Sequence, residues 1–113
     1  MHNSTVASLA KIMKSIGHPI RLKILCLLVD GGQTVGEIHD QLTTSFANVS
    51  QHLQRLHHQG LVVTDKQANF VRYSIASPKV TEMIGTLRRL YCRSLIDNET
   101  VKSQKSNPMR NKS

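Results

Sequence analysis

Residues 19–30 (PIRLKILCLLVD) place apolar side chains on nearly every face of a helix, interrupted by Arg21 and Lys23. A helix that is apolar all round has to be surrounded by other elements, so this segment is predicted to be the central helix of a core. A chain of 113 residues has room for one modest core and not for two. The other segments are therefore expected to pack around residues 19–30 as a single module.

Two shorter helices are predicted on either side of this central segment. Residues 5–16 place apolar side chains three and four positions apart, which predicts an amphipathic helix that ends at Gly17. Thr34 and Glu37 have the spacing of a capping box, in which a hydroxyl and a carboxylate each accept a bond from the other residue's backbone amide. This box predicts a short helix over residues 35–42.

Two longer helices are predicted in the second half of the chain. Ser45 can cap a helix that runs to about Gln59. Ser77 supplies another N-cap, and Pro78 suits the first helical position, so a last helix is predicted over residues 78–95.

Between these two helices the hydrophobic period changes to that of strands. Residues 61–64 are apolar and β-branched, 67–69 are typical of a turn and 70–75 alternate, which predicts a β-hairpin over 61–75. The resulting order of helix, helix, short helix, turn, helix, hairpin, helix is that of a winged helix-turn-helix, a mainly α fold with a β-hairpin wing. In this fold the second helix of the turn enters the major groove of DNA.

The charge of the chain agrees with a polyanionic partner. Fifteen Lys and Arg against seven Asp and Glu give a formal net charge of +8. Such a balance favours association with nucleic acid, although charge alone does not separate DNA from RNA or an anionic membrane. Residues 1–96 are predicted to form the DNA-binding and dimerisation domain, and the basic, polar residues 97–113 a disordered tail.

The outer side of the fourth helix is the predicted recognition surface. Val49, Leu53 and Leu56 recur on one face and are expected to point inward. Small polar side chains near the start of the helix can then reach base edges, and basic side chains further along or in the hairpin can reach phosphates or the minor groove. The predicted DNA-binding residues are Ser45, Phe46, Ala47, Asn48, Ser50, Gln51, Arg55, Lys66 and Arg72.

No stretch of the sequence approaches the roughly 20 apolar residues that span a bilayer, and residues 1–15 lack the order of a secretory signal. A cytoplasmic protein without a membrane partner is therefore expected. Because the cytoplasm is reducing, Cys26 and Cys92 are expected to be thiols at rest rather than a permanent disulfide.

Several segments in unbroken order resemble the ArsR/SmtB family of bacterial repressors. They are residues 18–25 (HPIRLKIL), 49–53 (VSQHL), Leu56, 60–62 (GLV) and 72–75 (RYSI). The resemblance covers about residues 5–95 and implies a homodimer whose interface is formed by the first and last helices. A dimer with twofold symmetry would present two recognition helices to double-stranded DNA with a near-palindromic operator.

The metal sites of this family have no counterpart here. The third helix contains no cysteine, and residues 77–95 contain no histidine and a single carboxylate, Glu82. Neither a metal nor another cofactor is therefore expected. Cys26 and Cys92 instead stand where the HlyU/BigR-like branch has its cysteine pair, which implies a switch in which reactive sulfur species or an oxidant link the two thiols.

Alternative functions remain open from the sequence alone. Cys26 and Cys92 together with histidines would give a metal-responsive repressor with a non-standard site, and inert core packing of both cysteines is a further reading. An enzyme is not expected, because no general base or phosphate-binding loop accompanies either thiol. A dimeric adaptor that binds no DNA is the last alternative. The sequence contains no pattern that identifies the operator, the inducer or the sign of regulation. At the start of the fourth helix, Phe46 and Ala47 stand where members of the family that the chain resembles commonly have polar residues.

Overall fold

The computed structural model describes residues 3–92 of the chain, and within this range the element order agrees with the winged helix-turn-helix prediction. The elements are α1 (Asn3–Ile16), α2 (Pro19–Leu28), β1 (Gln33–Thr34), α3 (Val35–His39), α4 (Phe46–His58), β2 (Val62–Gln67), β3 (Phe70–Ile75), α5 (Pro78–Leu87) and a π-helical segment (Arg88–Cys92).

Helix α2 is the centre of the fold, as its sequence predicts. Its last five residues, 24–28, are all buried, and α1, α4, α5 and β3 pack against it. The core that these elements share also contains the most deeply buried side chains of the other helices, Ile38, Val49, Leu53, Leu56 and Ile84. Burial of a leucine or isoleucine stabilises the fold by about 1.5–3 kcal/mol each, so the helices are held mainly by this core.

The predicted helix boundaries are largely confirmed by capping bonds. The capping box at the start of α3 is complete: the Glu37 amide donates to Thr34 Oγ1 at 3.2 Å, and the Thr34 amide donates to Glu37 Oε1 at 2.9 Å. Ser77 accepts from the Val80 amide at the start of α5. Helix α4 ends as a Schellman motif, because the Leu61 amide bonds to the Leu56 carbonyl and Gly60 adopts a φ of 76°.

Four boundaries differ from the predictions. Helix α1 begins at Asn3, two residues earlier, and α2 ends at Leu28 rather than near residue 30. The third helix ends at His39 because the amides of residues 41 and 42 bond to carbonyls only three positions back, which tightens the chain out of the α-helix. The last helix is α-helical only to Leu87 and then becomes π-helical. Its predicted continuation over residues 93–95, like the predicted tail 97–113, lies outside the described residues.

The predicted hairpin is the larger part of a three-stranded antiparallel sheet with the order β1-β3-β2. Strands β2 and β3 pair from Val62 with Ile75 to Gln67 with Phe70, and residues 68–69 form the turn. The short strand β1 adds the pair Thr34 with Arg72. Because Thr34 is also the N-cap of α3, the sheet is directly joined to the helix-turn-helix.

Among the residues described, no helix combines the length and the apolar character that crossing a bilayer requires.

Candidate nucleic-acid interface

Helices α3 and α4 pack against each other and form the helix-turn-helix pair. Ser45 precedes α4 as its N-cap, and the Asn48 amide donates to Ser45 Oγ at 3.1 Å. A capped helix start of this kind gathers backbone N–H groups that favour negative charge, such as a phosphate of nucleic acid.

The two faces of α4 are as distinct as the sequence predicts. Val49, Leu53 and Leu56 are fully buried against the core. On the opposite side, Ser45, Phe46, Ala47, Gln51 and Arg55 are exposed, and Asn48 and Ser50 are half-buried. The structure therefore brings the predicted residues of α4 together on one accessible surface.

Asn48 and Phe46 also make contacts within the protein. The Asn48 side-chain nitrogen donates to Thr44 Oγ1 at 2.8 Å, so this amide supports the turn that leads into the helix. The Phe46 ring lies 5.7 Å, between ring centroids, from His39 of α3 and is still about half exposed. Both side chains are thus positioned by the turn and by α3 rather than left to rotate.

Lys66 and Arg72 differ in their surroundings, although both lie in the wing. Lys66 is exposed near the tip of β2. Arg72 donates to the Gly32 carbonyl at 2.9 Å, lies 3.6 Å from Glu37 Oε1 and covers the Phe70 ring. A Cβ on Gly32 would lie 2.5 Å from Ser74 Oγ and 3.0 Å from Arg72 Cγ, so a larger residue there would require the side chains of Ser74 and Arg72 to shift. Arg72 therefore braces the wing against the start of α3.

A group of basic side chains beside α4 was missed by the sequence reasoning. Arg21 Nη1 lies 3.4 Å from His52 Nδ1, and the rings of His18 and His52 are 4.3 Å apart between centroids. Arg21 Nε also donates to the Ser15 carbonyl at 2.7 Å. His18 and Arg21 lie at the start of α2, more than thirty positions before His52 of α4, so no local sequence pattern predicts their proximity.

The charges around His52 disfavour its protonation. Burial, followed by the neighbouring positive groups His18, Arg21 and Arg55, lowers the pKa of His52 below its usual value of 6.5. Burial and Arg55 likewise lower the pKa of Arg21. At neutral pH His52 is therefore a neutral hydrogen-bonding ring beside permanently charged guanidinium groups.

The stability of the protein is expected to fall on mild acidification because of His52. Below pH 6.5 the unfolded chain binds a proton at this ring before the folded chain does, so the free energy of unfolding decreases until the folded ring is protonated too. Urea denaturation between about pH 7.5 and 5 would measure the slope. The slope should be smaller in His52→Gln than in the wild type, and His57→Gln is the control for loss of an exposed histidine of the same helix. Equal slopes in all three proteins would contradict the prediction.

The two cysteines lie on elements that touch each other. Cys26 of α2 is 1% exposed, and its carbonyl accepts a hydrogen bond of 3.0 Å from Arg88 Nη1 at the start of the π-helical segment. Arg88 also binds both carboxylate oxygens of Asp30 at 2.8 Å, and these hydrogen bonds lower the pKa of Asp30. Cys92 ends the π-helical segment, and its side chain lies outside the described part.

Within the described residues, no three His, Cys, Asp or Glu side chains come together in a group suited to hold a metal ion.

A helix-turn-helix with a capped, accessible second helix and a β-hairpin wing defines the class of winged helix-turn-helix transcription regulators. The chain belongs to the arsR family of bacterial regulatory proteins, whose family model matches residues 18–64. It is 42% identical over 83 residues to the transcriptional activator HlyU of Vibrio cholerae serotype O1. The aligned region covers 74% of this chain and 77% of HlyU.

Two solved structures extend the likeness to the whole fold. Reduced HlyU from Vibrio cholerae N16961 superposes with a TM-score of 0.74 at 40% identity and covers 79% of this chain and 94% of that one. The transcriptional repressor BigR from Xylella fastidiosa gives a TM-score of 0.72 at 27% identity and covers 80% of this chain and 90% of that one. These likenesses support the assignment to the HlyU/BigR-like branch that the sequence resembles. HlyU is named an activator and BigR a repressor, so the likeness leaves the sign of regulation open.

Proposed function

We propose that the protein is a homodimeric transcription regulator that binds double-stranded operator DNA through α4, with an affinity set by the thiol state of Cys26 and Cys92. The observation that carries the DNA-binding part is the accessible face of α4, which is capped at Ser45 and backed by fully buried apolar residues. A helix of this kind, about 10–12 Å in diameter, fits the major groove, which is about 12 Å wide.

The residues of α4 divide into two roles in this proposal. Gln51 and Ser50 bind base edges. The Asn48 side-chain nitrogen donates to Thr44 Oγ1, and the carbonyl of the same side chain is a further acceptor for a base. Phe46 and Ala47 contact thymine methyl groups and read no hydrogen-bond pattern. An operator for this protein is therefore expected to contain A·T pairs at the positions that face the start of α4.

The basic residues and the cap position the protein on the DNA backbone. Arg55 and Lys66, both exposed, contact phosphates or, at the wing, the minor groove. The Ser45 hydroxyl and the backbone amides at the start of α4 donate hydrogen bonds to a phosphate. Because Arg72 is held by Gly32 and Glu37, its main contribution is to set the angle of the wing.

The homodimer is proposed from apolar side chains that the single chain leaves in water. Three of them lie on α1 at helical spacing, and two lie in the π-helical segment; they are Val6 (49% exposed), Leu9 (40%), Met13 (51%), Leu90 (60%) and Tyr91 (68%). Burial of such a surface against a second copy of the chain would remove it from water and is favourable. The first and last helices are thus the proposed interface, as the family resemblance implies.

The thiol switch is supported by the packing of α2 against the segment that carries Cys92. Arg88 joins the Cys26 carbonyl to this segment, so a bond between the two sulfurs would act on the junction of the core and the proposed interface. A hydroperoxide would oxidise one thiolate to a sulfenic acid, and the second thiol would displace water to form the disulfide. One hydroperoxide is thereby reduced to an alcohol and water as two thiols lose two electrons and two protons. HlyU, the relative of 42% identity, has been solved in a form described as reduced.

We also propose that residues 1–96 are the functional domain, that 97–113 form a basic tail and that the protein acts in the cytoplasm. A short tail with two more basic than acidic residues would add nonspecific attraction to DNA.

Oxidation is expected to weaken operator binding at least tenfold, because two recognition helices have to match a fixed DNA pitch and a cross-link alters the dimer. A duplex enriched from a randomised pool by the reduced protein would be titrated with reduced, peroxide-treated and persulfide-treated protein. Cys26→Ser and Cys92→Ser should bind the duplex like the reduced wild type and lose the response. If both variants respond like the wild type, the proposed thiol switch is wrong.

Stoichiometric zinc binding that releases the duplex from the reduced protein would favour the metal-responsive alternative instead.

A further inference from the structure

Four basic side chains form one cluster at the side of α4. His18 and Arg21 come from the first turn of α2 and its cap, and His52 and Arg55 come from α4; together they are named the basic cluster. Three of the four are half-buried, and Arg55 is exposed. The cluster therefore lies at the surface beside the recognition helix, where a ligand can reach it.

The basic cluster has no acidic partner in the described part of the chain. The carboxylates there with a defined basic partner are Asp30, which binds Arg88, Glu37, which faces Arg72, and Asp40, which faces His39. The charges that act on Arg21 and His52 are all positive. The two permanently charged members, Arg21 and Arg55, repel each other, and an anion bound between them would relieve that repulsion.

Two members of the cluster, His18 and Arg21, are hydrogen-bonded to the backbone, and His52 is hydrogen-bonded to Arg21. The His18 Nδ1 atom accepts from the Ile20 amide at 3.2 Å, so its Nε2 atom carries the proton of the neutral ring and is a donor. Arg21 is fixed through Nε to the Ser15 carbonyl, and the Ser15 hydroxyl in turn bonds to Gln59. Arg21 Nη1 points to His52 Nδ1, which leaves the His52 Nε2 atom as a donor as well. Several fixed donors suit an anion with several oxygens.

The position of the cluster along α4 indicates which anion this is. Arg55 follows Gln51 by four residues, so the two side chains share one stripe of the helix and lie about 6 Å apart along its axis. The start of α4 is the part proposed to read bases, and a side chain one turn further along reaches the wall of the groove. That wall is the row of backbone phosphates.

We propose that the basic cluster binds one backbone phosphate of the duplex beside the base pairs contacted by Gln51. This inference rests on the proposed DNA-binding function and adds His18, Arg21 and His52 to the residues that contact DNA. The bound phosphate would favour the protonated form of His52, in which Nδ1 becomes a donor and gives up its contact with Arg21 Nη1. This effect acts against the three basic groups that face the ring, His18 and Arg21 at the start of α2 and Arg55 of α4. DNA binding is then coupled to proton uptake, and affinity rises as the pH falls from about 7.5 to 6.

The test uses the full chain and the duplex enriched from a randomised pool, with titrations at several salt concentrations. Arg55→Gln, the exposed member, and Arg21→Gln should each weaken binding roughly tenfold to a hundredfold. They should also reduce the slope of log affinity against log salt concentration by about 1.8. Each lost phosphate contact accounts for about 0.9, and the dimer loses one contact in each of its two copies. Lys79→Gln is the matched control, because it removes one positive charge from an exposed site on α5, which packs on α2 and β3. His52→Gln should keep the salt slope and flatten the pH dependence.

Three results would overturn the inference. The first is wild-type affinity for the duplex together with a wild-type salt slope in both arginine variants. The second is weaker binding with an unchanged slope, which would indicate a structural effect. The third is stoichiometric binding of inorganic phosphate that is lost in the arginine variants while their duplex affinity stays at the wild-type value, which would make the cluster a site for a small anion. If the wild type binds no duplex at moderate salt, the proposed function itself is wrong.

Discussion

Replacement of Leu53 by alanine is expected to lower the free energy of unfolding by about 2–5 kcal/mol. Leu53 lies in the middle of α4 and is fully buried in the core. Truncation removes most of its side chain and leaves a cavity, which the surrounding leucine and isoleucine side chains fill only in part. Since small domains are stable by about 5–15 kcal/mol, a loss of this size is a large share of the total.

Urea denaturation followed by circular dichroism would measure this loss as a lower midpoint with an unchanged slope. The matched control is Gln54→Ala on the same helix, because Gln54 is exposed and its truncation should change stability by less than about 0.5 kcal/mol. A Leu53→Ala protein as stable as the control would mean that α4 is not anchored by this face.

Met13→Glu is expected to separate the proposed dimer and to reduce operator affinity at least a hundredfold. Met13 is 51% exposed on α1 in the single chain, so a glutamate there is well solvated in the monomer. In the proposed interface it would place a charge among apolar side chains, which is costly unless the charge is paired. A monomer has a single recognition helix and loses the gain from binding two half-sites at once.

Sedimentation of the variant would report the mass, and the duplex titration would report the affinity. Ser8→Glu is the control, because it adds the same charge at an exposed position on another side of α1. The Met13→Glu variant should still be a folded monomer, with the helical content of the wild type and a thermal unfolding transition with a defined midpoint. A dimeric Met13→Glu protein with wild-type affinity would contradict the proposed interface.

Local sequence patterns were sufficient for most of the fold. The all-apolar α2, the capping box at Thr34 and Glu37 and the N-caps at Ser45 and Ser77 each depend on residues within one or two helical turns. Such signals are complete within a short window, so they could be read before any tertiary contact was known. The same holds for the buried face of α4, which follows from helical spacing alone.

The missed features depend on partners that are distant in the chain. Strand β1 has two residues and is defined only by its pairing with β3. A segment this short has no hydrophobic period from which it could be predicted. The π-helical segment begins at Arg88, whose guanidinium binds Asp30, 58 positions earlier. The bracing role of Arg72 likewise needs the Gly32 carbonyl, 40 positions away. These are tertiary contacts, and only the folded chain brings them together.

The pairing of β1 with β3 has a consequence for how the protein meets its ligand. Thr34 belongs to the sheet and also caps α3, while Arg72 holds the sheet to the same helix start. The hairpin is thereby fastened at two points to α3, which packs against the recognition helix α4, so these contacts restrict the movement of the hairpin relative to that helix. A DNA-binding surface whose helix and hairpin already have a fixed relative position loses less conformational entropy on binding DNA than one whose helix and hairpin move independently. Most of the favourable contact energy then remains available to distinguish one site along the duplex from another.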